Sequence, residues 1–138
     1  MIFTFPIQPK AVQSARFTKI GNFIKSYQPK SVHEYKGYIK VLTLSQLPPD
    51  FKMFEKEIKV SWTFKFPTLK SFSKKKLKAI EEGEIIYKIT KPDLDNLIKA
   101  TSDALTGTIW KDDCIISRQF SEKYYSFDSG IVLEVTEL

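Results

Sequence analysis

A period of two opens the chain. In MIFTFPI, Phe3, Phe5 and Ile7 fall on one side of an extended segment, which predicts a first strand. Residues 8–30 are polar and basic, with Gln13, Arg16, Lys19, Lys25 and Lys30 set among Phe17, Phe23 and Tyr27. Gly21-Asn22 predicts a turn between two short extended pieces. This segment has two readings: a solvated loop or hairpin, or a surface that meets a phosphate backbone with aromatic stacking groups beside it. The period then changes. Val32, Tyr35, Ile39 and Leu42 recur at helical spacing, with Ser31 and Glu34 as an expected capping box at the start and Pro48-Pro49 as the stop. His33 is expected to face solvent.

The clearest strand is EIKVSWTFKF. Ile58, Val60, Trp62, Phe64 and Phe66 make its core face, and Lys59, Ser61, Thr63 and Lys65 make a polar, basic one. SFSKKKLKAIEEGEIIYKIT predicts a short helix capped by Ser73 and ended by Gly83, followed by a short strand. The run Lys74-Lys75-Lys76 reads as a solvated helix face. Leu94, Leu97, Ile98, Thr101 and Leu105 mark one face of a further helix, and Gly107 suits its C-terminal stop. CIISRQFSEKYYSF and GIVLEVTEL predict two closing strands with Asp128-Ser129-Gly130 as the turn between them. The pattern amounts to an α+β fold over a single domain, residues 1–138: a small two-layer arrangement of mixed β-sheet with two main helices packed on it.

Composition narrows the class. Hydrophobic residues make up 42% and aromatics 14%, enough for a packed core and against disorder. No apolar run approaches the roughly 20 residues of a membrane span. MIFTFPI lacks a basic leader and a cleavage site, so a cytoplasmic protein without a signal peptide is expected. The single Cys114 fits a reducing compartment, and with His33 as the only histidine a structural zinc site within one chain is not expected.

Charge changes the picture most. Residues 1–80 hold 16 Lys/Arg against 4 Asp/Glu, a net of +12, while residues 81–138 hold 6 against 12, a net of −6. The basic part attracts a polyanion, nucleic acid being the commonest. The acidic part would repel it, and a bound divalent cation is the simplest offset. The negative charge concentrates in TKPDLDNLIKATSDALTGTIWKDD, residues Thr90 to Asp113, which carries five aspartates. Pro92 turns the chain into the helix, so Asp93 and Asp95 stand at one helix end, and Asp95, Lys99 and Asp103 run along its flank. Helix capping accounts for one aspartate well and two tolerably, but not for Asp112-Asp113 beyond the far end. Hard carboxylate oxygens in a basic surround, without a His/Cys set, point to Mg²⁺ or Mn²⁺.

KPDLDNLIKATSDALTG, followed by WKDDCII and EKYY, resembles the RusA family of Holliday junction resolvases. The resemblance rests on an ordered set over about residues 90–125: Asp-x-Asp-Asn-Leu, a following Lys, Asp-Ala-Leu, and a short loop ending in Asp-Asp. It implies a RusA-like fold and a homodimeric endodeoxyribonuclease that nicks four-way DNA junctions with Mg²⁺, Mn²⁺ substituting, and leaves 5′-phosphate ends. By position it implies catalytic, metal-holding roles for Asp93, Asp95 and Asp113, with Asp112 either a ligand or a neighbour, and an activity-supporting role for Lys99. Asp103 also matches the motif and is expected to support the helix. Near the start the pattern departs. PIQPKAVQSARF replaces the opening found in some members, with Gln13 and Arg16 as candidates for its task, and residues 67–85 read as an insertion. Arg16, Lys19, Lys25, Lys30 and Lys91 are the expected DNA contacts. No membrane and no nucleotide cofactor is expected.

Two rival functions stand beside this one: a non-catalytic DNA-binding module whose aspartates only cap and turn, and a metal-dependent nuclease for flaps or other branched DNA. Dimerisation has a physical motive as well. Paired nicks need two acidic clusters, and a chain of this size is not expected to bury all of Phe3, Phe5, Trp62, Phe64, Phe66, Trp110, Phe120, Tyr124 and Tyr125, which leaves some for a subunit interface.

Overall fold

The computed structural model describes residues 1–11, 16–21, 23–27 and 30–138. In chain order the elements are β1 (Ile2–Phe5), β2 (Arg16–Ile20), β3 (Phe23–Tyr27), α1 (Lys30–Gln46), β4 (Ile58–Pro67), α2 (Lys74–Glu81), α3 (Leu94–Leu105), a 3-10 turn (Asp113–Ile115), β5 (Ile116–Ser126) and β6 (Gly130–Glu137). Four strands form a mixed sheet in the order β1-β6-β4-β5, with β4 and β5 parallel and the other neighbours antiparallel. β2 and β3 form a separate antiparallel hairpin. No helix among the described residues is long and apolar enough to cross a membrane.

The alternation in β4 does what period two requires. Ile58, Val60, Trp62 and Phe64 are fully buried and Phe66 nearly so, while Lys59, Ser61, Thr63 and Lys65 stay half-buried on the other face. Phe3 and Phe5 of β1 and Ile131, Leu133 and Val135 of β6 join the same core. Burying each such side chain contributes about 2 kcal/mol, so the sheet's inner face is the main source of stability. α1 and α3 cover that face with Tyr35, Ile39, Leu97, Ala100, Ala104 and Leu105. Trp62 lies at the centre, stacked on Phe64 at 5.9 Å and met edge-on by Trp110 at 6.3 Å. The small two-layer α+β fold with a mixed sheet is therefore the observed one.

One margin of the sheet, at β1, is managed by a side chain. Gln46, in the last turn of α1, accepts from the Thr4 N–H and donates to the Thr4 carbonyl, each at 2.9 Å, so a side-chain amide stands in for a neighbouring strand on β1. Gly130 lets β6 begin against β1: a Cβ there would lie 2.7 Å from the Phe5 carbonyl oxygen. β5 forms the opposite margin.

Local expectations met mixed outcomes. Ser73 caps α2, accepting from the Lys76 N–H at 3.1 Å, and His33 is exposed. The capping box is corrected: α1 already opens at Lys30, so Ser31 lies inside its first turn, and Glu34 pairs with Lys30 at 3.8 Å instead. The strand expected after Gly83 is also corrected. Residues 86–88 meet β5 in an isolated Tyr87–Tyr124 bridge, with the Lys88 N–H donating to the Lys123 carbonyl at 3.2 Å and the Tyr125 N–H to the Ile86 carbonyl at 3.0 Å, and beyond it the Lys123 ammonium takes the Thr90 carbonyl at 2.6 Å. The two closing strands are not neighbours. β4 lies between them, and residues 127–129 cross over its end, where Lys65 pairs with Asp128 at 3.6 Å. Of the aromatics expected to exceed the core, all are buried except Phe120, which is 55% exposed, and Tyr124, which is half-buried. Gln13 and Asn22 lie outside the described residues.

Candidate active site

α3 forms where apolar residues recur three and four apart, and it buries Leu97, Ala100, Thr101, Ala104 and Leu105. It stops at Thr106 because Gly107 takes φ +83°, a left-handed conformation that costs a side-chain-bearing residue about 1–2 kcal/mol. Asp95, Lys99, Ser102 and Thr106 follow one another at helical spacing along a single stripe of the helix.

That stripe faces β5 across an open cavity of about 650 Å³. Asp95, Lys99, Asp103 and Asp113 line it together with Ser102, Ser117, Gln119, Ser121 and an apolar floor of Leu94, Ile98 and Ile116. The structure thus brings four residues of the acidic motif to one concave surface. Asp103 is tied to the helix pair, since Lys36 of α1 donates to it at 3.3 Å. Asp93 and Asp112 do not line the cavity.

Asp93 is the N-cap of α3 by position, yet its side chain makes no capping hydrogen bond. Lys123 fixes the segment that delivers it, donating to the carbonyls of Thr90 at 2.6 Å and Pro92 at 2.7 Å. Asp112 caps the 3-10 turn by accepting from the Cys114 N–H at 2.9 Å. That hydrogen bond, reinforced by the thiol, holds the Asp112 carboxyl below the usual carboxylate range. The same contact pushes the Cys114 thiol up.

Asp113 is in a different position. Its Oδ1 accepts from the Ser102 hydroxyl at 2.9 Å, the Thr106 hydroxyl at 2.7 Å and the Trp110 indole N–H at 2.8 Å. No described residue donates to its Oδ2. The acidic pair therefore does return to α3, but to the helix's C-terminal half. Ser102 lies seven residues beyond Asp95, roughly 10 Å further along the axis, with Lys99 between.

The donor chemistry suits a hard divalent cation: carboxylate oxygens, hydroxyls and no imidazole or thiolate on the cavity wall. Among the described residues, no three carboxylate, imidazole or thiol groups stand close enough together to hold an ion. The separation along α3 accounts for this, because unneutralised carboxylates gain nothing by approaching one another.

The expected DNA contacts lie elsewhere. Arg16 and Lys25 belong to the β2–β3 hairpin, with Lys19 exposed on the same hairpin. Lys30 is exposed at the start of α1, and Lys91 is exposed two residues before Asp93. Sequence reasoning missed Ser102, Thr106, Trp110 and Lys123. The first two had a visible signal, since they continue the Asp95–Lys99 stripe. Trp110 and Lys123 had none, because their partners are distant in sequence or set by a loop.

Residues 6–136 match the family model described as Endodeoxyribonuclease RusA. The chain is also 26% identical over 136 residues to the uncharacterized protein YqaN of Bacillus subtilis (strain 168), across 99% of this chain and 95% of that protein. With the family match running from just after β1 through the hairpin and the α3 cavity into β6, the chain belongs to the Endodeoxyribonuclease RusA family, a membership that implies a nuclease-type hydrolase activity.

Proposed function

We propose that this chain is a Mg²⁺-dependent, structure-selective endodeoxyribonuclease that resolves four-way DNA junctions as a homodimer, each subunit making one nick. The observation that carries the reading is the convergence of Asp95, Lys99 and Asp113 on one open cavity at the margin of the sheet. Asp93, Asp95 and Asp113 would hold the cation, and Mn²⁺ would serve in its place. Bound there, a divalent cation lowers the pKa of the attacking water, polarises the scissile phosphate and steadies the leaving 3′ oxygen. The ends left are 5′-phosphates.

The chain's own residues do the rest. Lys99 lies between the two ends of the stripe and balances the extra charge on the phosphate in the transition state. The apolar floor keeps bulk water off one side of the site. Asp103, already paired with Lys36, holds α3 against α1, and Asp112 shapes the turn that presents Asp113. Arg16, Lys19, Lys25, Lys30 and Lys91 contact backbone phosphates, so they supply affinity without sequence information. Preference for a junction then comes from its shape and from a two-fold dimer matching its symmetry.

The purely structural reading of the aspartates is weakened at one place: Asp93 occupies the cap position without a side-chain capping bond. Junction, duplex and flap substrates incubated with EDTA, Mg²⁺ or Mn²⁺ test the proposal. Paired nicks in the junction with either metal and none in EDTA are expected. Cleavage without junction preference would move the protein to the flap and branch nucleases, and no cleavage with any metal would leave a binding module. Light scattering tests the dimer separately. A monomer mass persisting at micromolar concentration, with junction DNA bound, would overturn it.

A further inference from the structure

We propose that Ser102, Thr106 and Trp110 are positioning residues that saturate one oxygen of Asp113 and so reserve the other for a divalent cation. The inference rests on the reading of Asp113 as a cation ligand. It goes beyond that reading by assigning work to three side chains that carry no ligand themselves.

The argument begins with the count of acceptor sites. A carboxylate oxygen offers about two lone-pair directions. Three donors converge on Oδ1 of Asp113, at 2.7, 2.8 and 2.9 Å, while no described residue donates to Oδ2. Random satisfaction of three donors would spread them over both oxygens. Here the donors are stacked on one, and the remaining oxygen belongs to a side chain that lines the cavity.

The donors are themselves fixed. Ser102 is 4% exposed and Trp110 is fully buried. The Trp110 ring is held edge-on to Trp62, and its carbonyl accepts from the Gly107 N–H at 2.7 Å. The Thr106 hydroxyl has a choice, since it lies 3.0 Å from the Ser102 carbonyl and 2.7 Å from Asp113. It has a single proton, and the charged acceptor is the stronger partner. The clamp also sits at the C-terminal end of α3, where the helix dipole disfavours an anion. Neutral donors offset part of that cost, and a cation on Oδ2 completes it. Residues that orient a ligand in this way typically change metal affinity 10- to 100-fold when removed.

A merely structural role would be different: the three groups would lend stability to the loop and leave cation binding alone. The test therefore measures free Mn²⁺ by electron paramagnetic resonance during titration of the full-length protein, alongside its melting temperature without metal. Thr106 is exposed, so Thr106→Val replaces the hydroxyl with a methyl at a site that tolerates it. The Mn²⁺ dissociation constant is expected to rise ~10-fold in Thr106→Val and Ser102→Ala, to recover in Thr106→Ser, and to shift the Mg²⁺ concentration for half-maximal nicking by the same factor. Trp110→Phe keeps an aromatic side chain and removes the donor, and the same rise is expected. Asp113→Asn separates the two ideas. If it weakens Mn²⁺ binding while Thr106→Val and Ser102→Ala do not, the clamp is only structural and the proposal fails. If Asp113→Asn leaves Mn²⁺ binding unchanged, Asp113 is no ligand and the reading beneath the proposal fails instead.

Discussion

The two ends of α3 meet the same kind of side chain in opposite circumstances. At the N-terminal end the carboxylates of Asp93 and Asp95 accept no hydrogen bond from any described residue, while at the C-terminal end the Asp113 carboxylate is held by three donors. Helix electrostatics explains the asymmetry. An N-terminus stabilises a carboxylate through its own free N–H groups, so no side chain is needed to keep one there. A C-terminus repels a carboxylate, so one stays only where donors outweigh the repulsion. The molecule thus pairs a rigidly aimed carboxylate with two that stand unclaimed, and Lys99 lies between them.

The largest effect is expected from removing charge at the unclaimed end. Asp95→Asn keeps the volume and loses the charge, and nicking of a junction should fall on the order of 1,000-fold, since metal assistance supplies several kcal/mol. Gel-shift affinity in EDTA should hold or tighten, with less negative charge facing the DNA. Wild-type nicking by this variant would remove the N-terminal end from the site. Next comes the residue between the ends. Lys99→Ala should slow single-turnover cleavage of saturated DNA ~100-fold, as loss of a charge-stabilising group does, while the salt dependence of binding changes by about one unit. Lost binding with unchanged cleavage would make Lys99 a DNA contact only.

A third change strains the clamped end alone. Gly107→Ala puts a Cβ at φ +83° and should lower stability by about 1–2 kcal/mol, a fall of roughly 4–8 °C in melting temperature. Since Gly107 bonds to Trp110, Mn²⁺ affinity should weaken too; a lower melting temperature with intact Mn²⁺ affinity would uncouple the turn from the clamp. The smallest effect concerns the turn beyond it. Asp112 raises the Cys114 thiol, which lowers the thiolate fraction and hence its reactivity. Asp112→Asn removes the charge while its amide oxygen still caps the turn, so Cys114 should alkylate faster at pH 8, as read by mass spectrometry. An unchanged or slower rate would show that the charge of Asp112 does not reach the thiol.

What the sequence determined by itself is local and periodic. The strand faces of β1 and β4, the α3 stripe, the Ser73 cap and the Gly107 stop all follow from the chemistry of neighbouring residues, whose spacing is fixed by the backbone repeat. The ordered aspartates were legible in another way, as a motif that resembles the family's and owes nothing to the backbone repeat. Tertiary structure decided everything that depends on which distant segments meet. It placed β4 between two strands that follow one another in the chain. It reduced the short strand expected after Gly83 to a single bridge, and it turned Glu34 toward Lys30 in place of Ser31. It also brought Asp113 to the far half of α3 rather than beside Asp95. The reason is physical. A loop such as residues 106–112 has no repeat to dictate its path, so its course is set by where Ile109 and Trp110 find burial against Trp62 and the rest of the core.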